Sequence, residues 1–299
     1  MNLSTRHHFL PVFYLKRFTN ENGFFYIYDV KVNEFKCKGK LFAPKTHFYE
    51  PYGNSIHFGK DESDFIEKSF SKTDMDVSKI IEKGCVVSHT PLNSEEWTML
   101  QYFVNIMYWR LPANVNKVKE YISNAKSIAE FHFKFVDNIN GTKFDKAKEN
   151  ELFETMKADP DFYKFFRLML PAITYPEIFA KGFENSATVF SFPSGLPKLM
   201  SDNPIIYKNP DFVSLHHDDF IFPLTSNQLL IRHRFKQISV WSEVRILVDM
   251  LLLKQANEYV SCTDLTYPIM LNKTFDKTFN SIEHLRQTIF DKILETDNL

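Results

Sequence analysis

The chain has 299 residues, of which 44% are hydrophobic, 16% aromatic and 24% charged, and its formal net charge is −1. This length allows one large domain or two small ones, with a core that needs no disulfide or metal staple. The composition excludes a disordered tail, a collagen and a coiled-coil rod, and the near-zero charge excludes a global field that draws the chain to nucleic acid or an anionic membrane.

Residues 1–58 read as strands and turns. The aromatic run Gly23–Asp29 and the alternating run Val32–Cys37 predict a hairpin turning near Val30 and Lys31. The segment is also basic: residues 1–60 hold nine Lys and Arg against four acids, a balance of +5, so the remaining 239 residues carry −6. Residues 61–184 read as helical. Ile66, Phe70, Val77, Ile80 and Ile81 mark one face of a helix over 61–83, and Ser94 is the expected N-cap of a helix ending near Arg110, because Pro112 disfavours helix at Leu111. Further helices are expected over 114–136, 146–156, 161–170 and 175–183. Residues 187–235 return to short β-like runs, with Phe220–Leu224 and Gln228–Arg232 separated by a loop of hairpin length. Residues 241–299 read as helical again, over 241–260 and 282–294. No linker or repeat separates these blocks, so the fold class is α+β: a single domain, 1–299, with β-hairpins near both ends, a helical middle and an antiparallel or mixed sheet.

Several chemistries are excluded or disfavoured. The eight glycines form neither a Walker loop nor a dinucleotide fingerprint, so no nucleotide-cofactor motif is present. No His-Glu-x-x-His, Gly-x-Ser-x-Gly or kinase signature occurs. Cys37, Cys85 and Cys262 are odd in number and at least 48 residues apart, which predicts free thiols in a reducing, cytoplasmic compartment. Arg6, His7 and His8 stand where a signal peptide needs an apolar core, and no apolar run spans a membrane. His216, His217, Asp218 and Asp219 look like metal ligands, but four adjacent polar residues more often form a solvated loop. No metal ligand is assigned; the cofactor is left unknown, with a divalent metal open.

Three turn motifs carry the remaining signal. His8 precedes Pro11 and lies close to Lys16 and Arg17, with Tyr14 between them, which suits a general acid or base next to groups that bind an anion or stack on a base. The competing reading has Phe9, Phe13, Tyr14 and Phe18 tucking the terminus into the core. Ser201-Asp202-Asn203-Pro204 joins two short strands. Asp202 can serve as orienter or ligand, yet Asp and Asn before Pro also make an ordinary Asx turn. Arg110, at a helix end, can clamp an anion or cap carbonyls. Asp29 with Glu34 and Lys36 faintly echoes a restriction-type nuclease, at a hairpin's spacing.

The order of these motifs resembles the bacterial and phage family called domain of unknown function 4238. The carrying residues are His7-His8-Phe9-Leu10-Pro11-Val12-Phe13-Tyr14-Leu15, the hairpin at Tyr28-Asp29, the acidic helix with Glu67, Arg110-Leu111-Pro112, Ser201-Asp202-Asn203-Pro204 and Phe222-Pro223-Leu224-Thr225-Ser226. Val12 and Ser226 depart from the family's usual polar residue and proline. The resemblance supplies no activity, but it groups His8, Arg110, Asp202 and Asn203, with Glu67, into one set. The function expected is a nuclease-like or nucleotide-directed hydrolase serving phage–host conflict. Its catalytic residues are His8, Asp202 and Asn203, its substrate-binding residues are Arg110, Lys16, Arg17 and Tyr14, and a His8–Asp202 dyad is expected. Its partners are nucleic acid or nucleotide, not membrane. The alternative is a non-catalytic binding or effector protein in which the same residues pin the fold.

Overall fold

A computed structural model describes residues 5–58, 61–87, 91–131, 134–136, 141–179, 187–210, 218–233, 235 and 238–295. The chain opens with strand β1 (Arg6–His8), followed by Pro11, whose ring-fixed φ of −57° leads into the one-turn helix α1 (Val12–Leu15). The aromatic run forms β2 (Phe25–Asp29), which pairs with β3 (Glu34–Phe35) and β4 (Leu41–Phe42), giving the expected hairpin. Strand β5 (Tyr49–Pro51) returns antiparallel to β1, with His8 opposite Tyr49. Strands β6 (Ile56–Phe58) and β7 (Asp61–Ser63) form a small hairpin, so α2 (Phe65–Ile81) starts four residues later than its apolar spacing suggests.

In α3 (Ser94–Arg110), the N-cap is Asn93 rather than Ser94. The Asn93 side chain accepts from the Glu96 N–H at 2.9 Å and the Glu96 carboxylate accepts from the Asn93 N–H at 2.9 Å, a reciprocal capping box. Leu111 is extended before Pro112, as expected. The helix expected over 114–136 stops early: α4 (Val115–Asn124) ends where Ala125 turns extended. Helix α5 (Lys146–Lys157) matches its expectation, whereas the two helices expected after it are one, α6 (Pro160–Phe179), which runs through Pro171. Packing of α6 against α3 overrides the local penalty, and Asn105 of α3 donates to the Pro171 carbonyl at 3.4 Å.

The C-terminal half supplies β8 (Ala187–Ser191), β9 (Leu199–Ser201), β10 (Ile206–Tyr207), β11 (Phe220–Thr225), β12 (Gln228–Arg232) and β13 (Ile238–Val240). One antiparallel sheet runs β10-β11-β12-β8, with β11 and β12 forming the expected hairpin. The helix expected over 241–260 ends sooner, as α7 (Val244–Lys254), and its last residues become strand β14 (Tyr259–Cys262). That strand sits between β2 and β9 in a second antiparallel sheet, pairing Val260 with both Tyr28 and Ser201. Helices α8 (Tyr267–Thr278) and α9 (Ile282–Asp291) and strand β15 (Ile293–Glu295), which pairs with β13, complete the chain.

Because β2, β9 and β14 come from three distant parts of the sequence, the blocks cannot separate, and the result is a single α+β fold. The core sits where rings of those blocks meet: Tyr14 stacks on Phe222 at 5.4 Å, and Phe103 meets both edge-on at about 6 Å. Each ring so buried contributes about 2–3 kcal/mol of hydrophobic stabilisation. Among the described residues no helix is long and apolar enough to cross a membrane. Cys37 and Cys262 are free thiols, the second buried.

Candidate functional site

Helix α2 buries Ile66, Phe70, Val77 and Ile81, which leaves Glu67, Ser71, Asp74 and Ser78, at steps of four, three and four, on a second face. That polar stripe lines an open cavity of about 630 Å³ that His8, Pro11, Val12, Phe13 and Arg110 also border. The volume is that of a small-molecule site. The His-Pro turn and the end of α3, 102 residues apart in sequence, therefore meet across α2.

His8 is held from one side. Its ring bonds the Lys45 carbonyl and lies 5.6 Å from the Tyr49 ring, while Nε2 is buried with no partner. Burial lowers the His8 pKa below its ordinary value, with Arg110 and Arg6 acting in the same direction. The neutral form of the imidazole is thereby favoured.

Arg110 is only 1% exposed. Its Nη1 lies 3.1 Å from both Asp74 carboxylate oxygens, its guanidinium carbon 4.6 Å from the Phe70 ring centre, and its Nε has no partner. Burial pushes the Asp74 carboxyl up, against the pull of Arg110. Glu67 accepts from Asn54 Nδ2 at 2.8 Å, and the Asn54 N–H donates to His7 Nδ1 at 2.8 Å, so a buried His7–Asn54 pair positions the carboxylate. With Glu67, Asp74 and Glu82 set against Lys79 and Arg110, carboxylates outnumber permanent cations.

The rest of the expected set is elsewhere. Asp202 and His8 make no hydrogen bond to each other, so the expected dyad is not formed. Asp202 instead accepts from the backbone N–H groups of Asn257 (2.8 Å), Glu258 (2.7 Å) and Tyr259 (2.9 Å), which starts β14. Burial raises the Asp202 carboxyl pKa and the three N–H groups oppose the rise. Asn203 is bound to Gln255 through its side chain and its carbonyl. The strand that carries His8 pairs with β5. Tyr14 is fully buried, its hydroxyl donating to the Pro223 carbonyl at 2.6 Å, which places it in the core and out of reach of a substrate. Arg17 straps the cavity rim, bonding Glu82 at 3.2 Å and the Ser78 carbonyl at 3.3 Å, whereas Lys16 is exposed and outside the lining.

Asp74 and Asn54 were not singled out from sequence. Asp74 had a signal, since Glu67, Ser71, Asp74 and Ser78 repeat at helical period opposite the apolar stripe. Asn54 had none, because its role depends on a turn that brings it to α2. Among the described residues no group of three or more His, Cys, Asp or Glu side chains is placed to hold a metal ion. His216 and His217 lie outside the described residues.

No curated protein and no solved structure shows significant similarity to the chain. A family profile described as a protein of unknown function (DUF4238) matches residues 6–242, which include His8, Glu67, Asp74, Arg110 and Asp202. The chain belongs to the DUF4238 family.

Proposed function

We propose that the His8 cavity is the active site of a hydrolase acting on phosphate-bearing substrates, nucleotide-directed or nuclease-like, with His8 as general base. The observation that carries this reading is that His8, Glu67, Asp74 and Arg110, from three separate parts of the chain, line one cavity of about 630 Å³. In this reading the His8 imidazole takes the proton of an attacking water. Glu67, positioned by Asn54, is the second proton-transfer group. Lys79, exposed on the cavity lining, is the cation available to a phosphate oxygen, and the buried Arg110 is held by Asp74. Glu67, Asp74 and Glu82 border the site, so the best-suited substrate arrives with part of its phosphate charge neutralised, as magnesium nucleotides do.

The test is a screen of magnesium nucleotides and short oligonucleotides for hydrolysis, run on the wild type and on His8→Gln. General-base catalysis is worth about 10²–10⁴ in rate, so His8→Gln should lower turnover by at least 100-fold with an unchanged melting temperature. An unaltered rate in His8→Gln, or a wild type that turns over none of the panel, overturns the proposal. The second reading, a non-catalytic binding or effector protein, is favoured by one observation: Asp202, Asn203 and Tyr14 are all spent on backbone contacts.

A further inference from the structure

Strand β5 separates two further cavities of about 400 Å³ each, and its residues Glu50 and Pro51 line both. The first cavity carries Lys31, Lys36 and the rings of Tyr49 and Tyr259, the second Lys119 and Tyr52. From these features we infer that the face across β5 binds single-stranded nucleic acid, the chain's phosphates on the lysines and its bases on the tyrosine rings.

Two of the acids on this face are held by neighbouring groups. Glu50 is bound by Arg167 at 3.4 Å and Asp202 by three backbone N–H groups. Lys31, Lys36 and Lys119, by contrast, form no ion pair with the described residues. Across the two linings Lys31, Lys36, Lys119, Lys164 and Arg167 stand against Glu50, Asp202 and Glu258, five cations to three carboxylates. Lys36 holds its ammonium 4.1 Å from the Tyr259 ring centre, and Arg6 sits 5.3 Å from that of Tyr49, so cations and rings alternate as a stacked, anionic polymer requires.

The backbone supports the same reading. The non-glycine residues with left-handed φ among those described all fall between 33 and 52, and two of them, Phe48 (φ 60°) and Tyr52 (φ 53°), bracket β5. A bulky ring in that region is disfavoured unless the surroundings impose it, and such strain collects at binding sites. At Tyr52 the result is a ring 48% exposed, turned to solvent where it packs no core. A duplex presents no unstacked base to such a ring, and an acidic peptide presents no base at all.

This inference does not rest on the hydrolase reading, since the experiment reads binding and not turnover. Fluorescence anisotropy of labelled (dT)12 and (rU)12 is compared with a blunt 12-base-pair duplex and with a peptide of twelve glutamates. We expect the single strands to bind at 50 mM salt and the duplex and the peptide to bind at least tenfold more weakly. Three lysine–phosphate contacts give a slope of log affinity against log salt of about −2. Tyr52→Asn, which keeps a residue that tolerates positive φ, should weaken binding about fivefold or more, and Lys31→Glu with Lys119→Glu should flatten the slope. Both variants should melt with the wild type. Binding of only one of the two oligonucleotides supports the inference and identifies the sugar. It is overturned if neither strand binds, if the peptide or the duplex binds as tightly, or if both variants bind as the wild type does.

Discussion

Asp202 separates a folding device from a catalytic group, and its replacement can be worked through quantitatively. Its Oδ2 accepts from the Glu258 and Tyr259 N–H groups and its Oδ1 from that of Asn257, so the carboxylate closes the connection that lets β14 enter the sheet. Hydrogen bonds to a charged group are worth about 1.5–3 kcal/mol each, which sums to about 4.5–9 kcal/mol for three. Asn257, Glu258 and Tyr259 also line an open cavity. Water can reach some of the freed donors, which lowers the loss for Asp202→Ala to about 3–5 kcal/mol. Asp202→Asn, with its amide oxygen toward the two-donor side, keeps two bonds and sets its NH2 against the Asn257 N–H, for a loss of about 1–3 kcal/mol. At about 2 °C per kcal/mol for a chain of this size, the melting temperature should fall by roughly 6–10 °C in Asp202→Ala and 2–6 °C in Asp202→Asn. The assay is thermal unfolding followed by far-ultraviolet circular dichroism, alongside the hydrolysis screen. A melting temperature within 2 °C of wild type together with lost turnover would refute the structural assignment and return Asp202 to the active site.

Three other perturbations follow from the same contacts. Asp74→Ala leaves Arg110 buried without its carboxylate and should cost about 3–5 kcal/mol in urea unfolding, whereas a loss under 1 kcal/mol would mean that the pair is not formed. His47, whose pKa burial pushes down to about 4 with Lys36 adding to the effect, stays neutral in the fold. Its contribution is present above pH 6.5 and is lost as pH falls toward 4, by about 1–2 kcal/mol after allowing for its partial exposure; His47→Gln should flatten stability over that window, and an unchanged pH profile would argue against it. Tyr14→Phe removes the buried donor to the Pro223 carbonyl at 2.6 Å, and unfolding should register a loss of about 1–2 kcal/mol with no change in ligand binding at the His8 cavity.

What was legible in the sequence was whatever adjacent residues enforce. Pro112 ends α3, the aromatic run at 25–29 makes a strand, and the loop between residues 224 and 228 makes a hairpin, because steric and side-chain preferences act within a few residues. The class of fold, the motif order shared with the family and the value of His8 and Arg110 as candidates came from that level. Contacts across the fold decided the rest. Residues 255–260 have a helical apolar pattern, yet they leave the helix because Asp202, more than fifty residues away, captures three of their N–H groups and two strands compete for the next ones. Pro171 reads as a break but sits inside α6, since α3 packs along that helix. The site was divided in the same way. His8 and Asp202 look like one set in sequence order, but backbone amides claim Asp202, while α2 places Glu67 and Asp74 between His8 and Arg110. A side chain's partners are set by where the backbone of distant segments leaves unmet donors and acceptors, and that distribution exists only once the chain has folded.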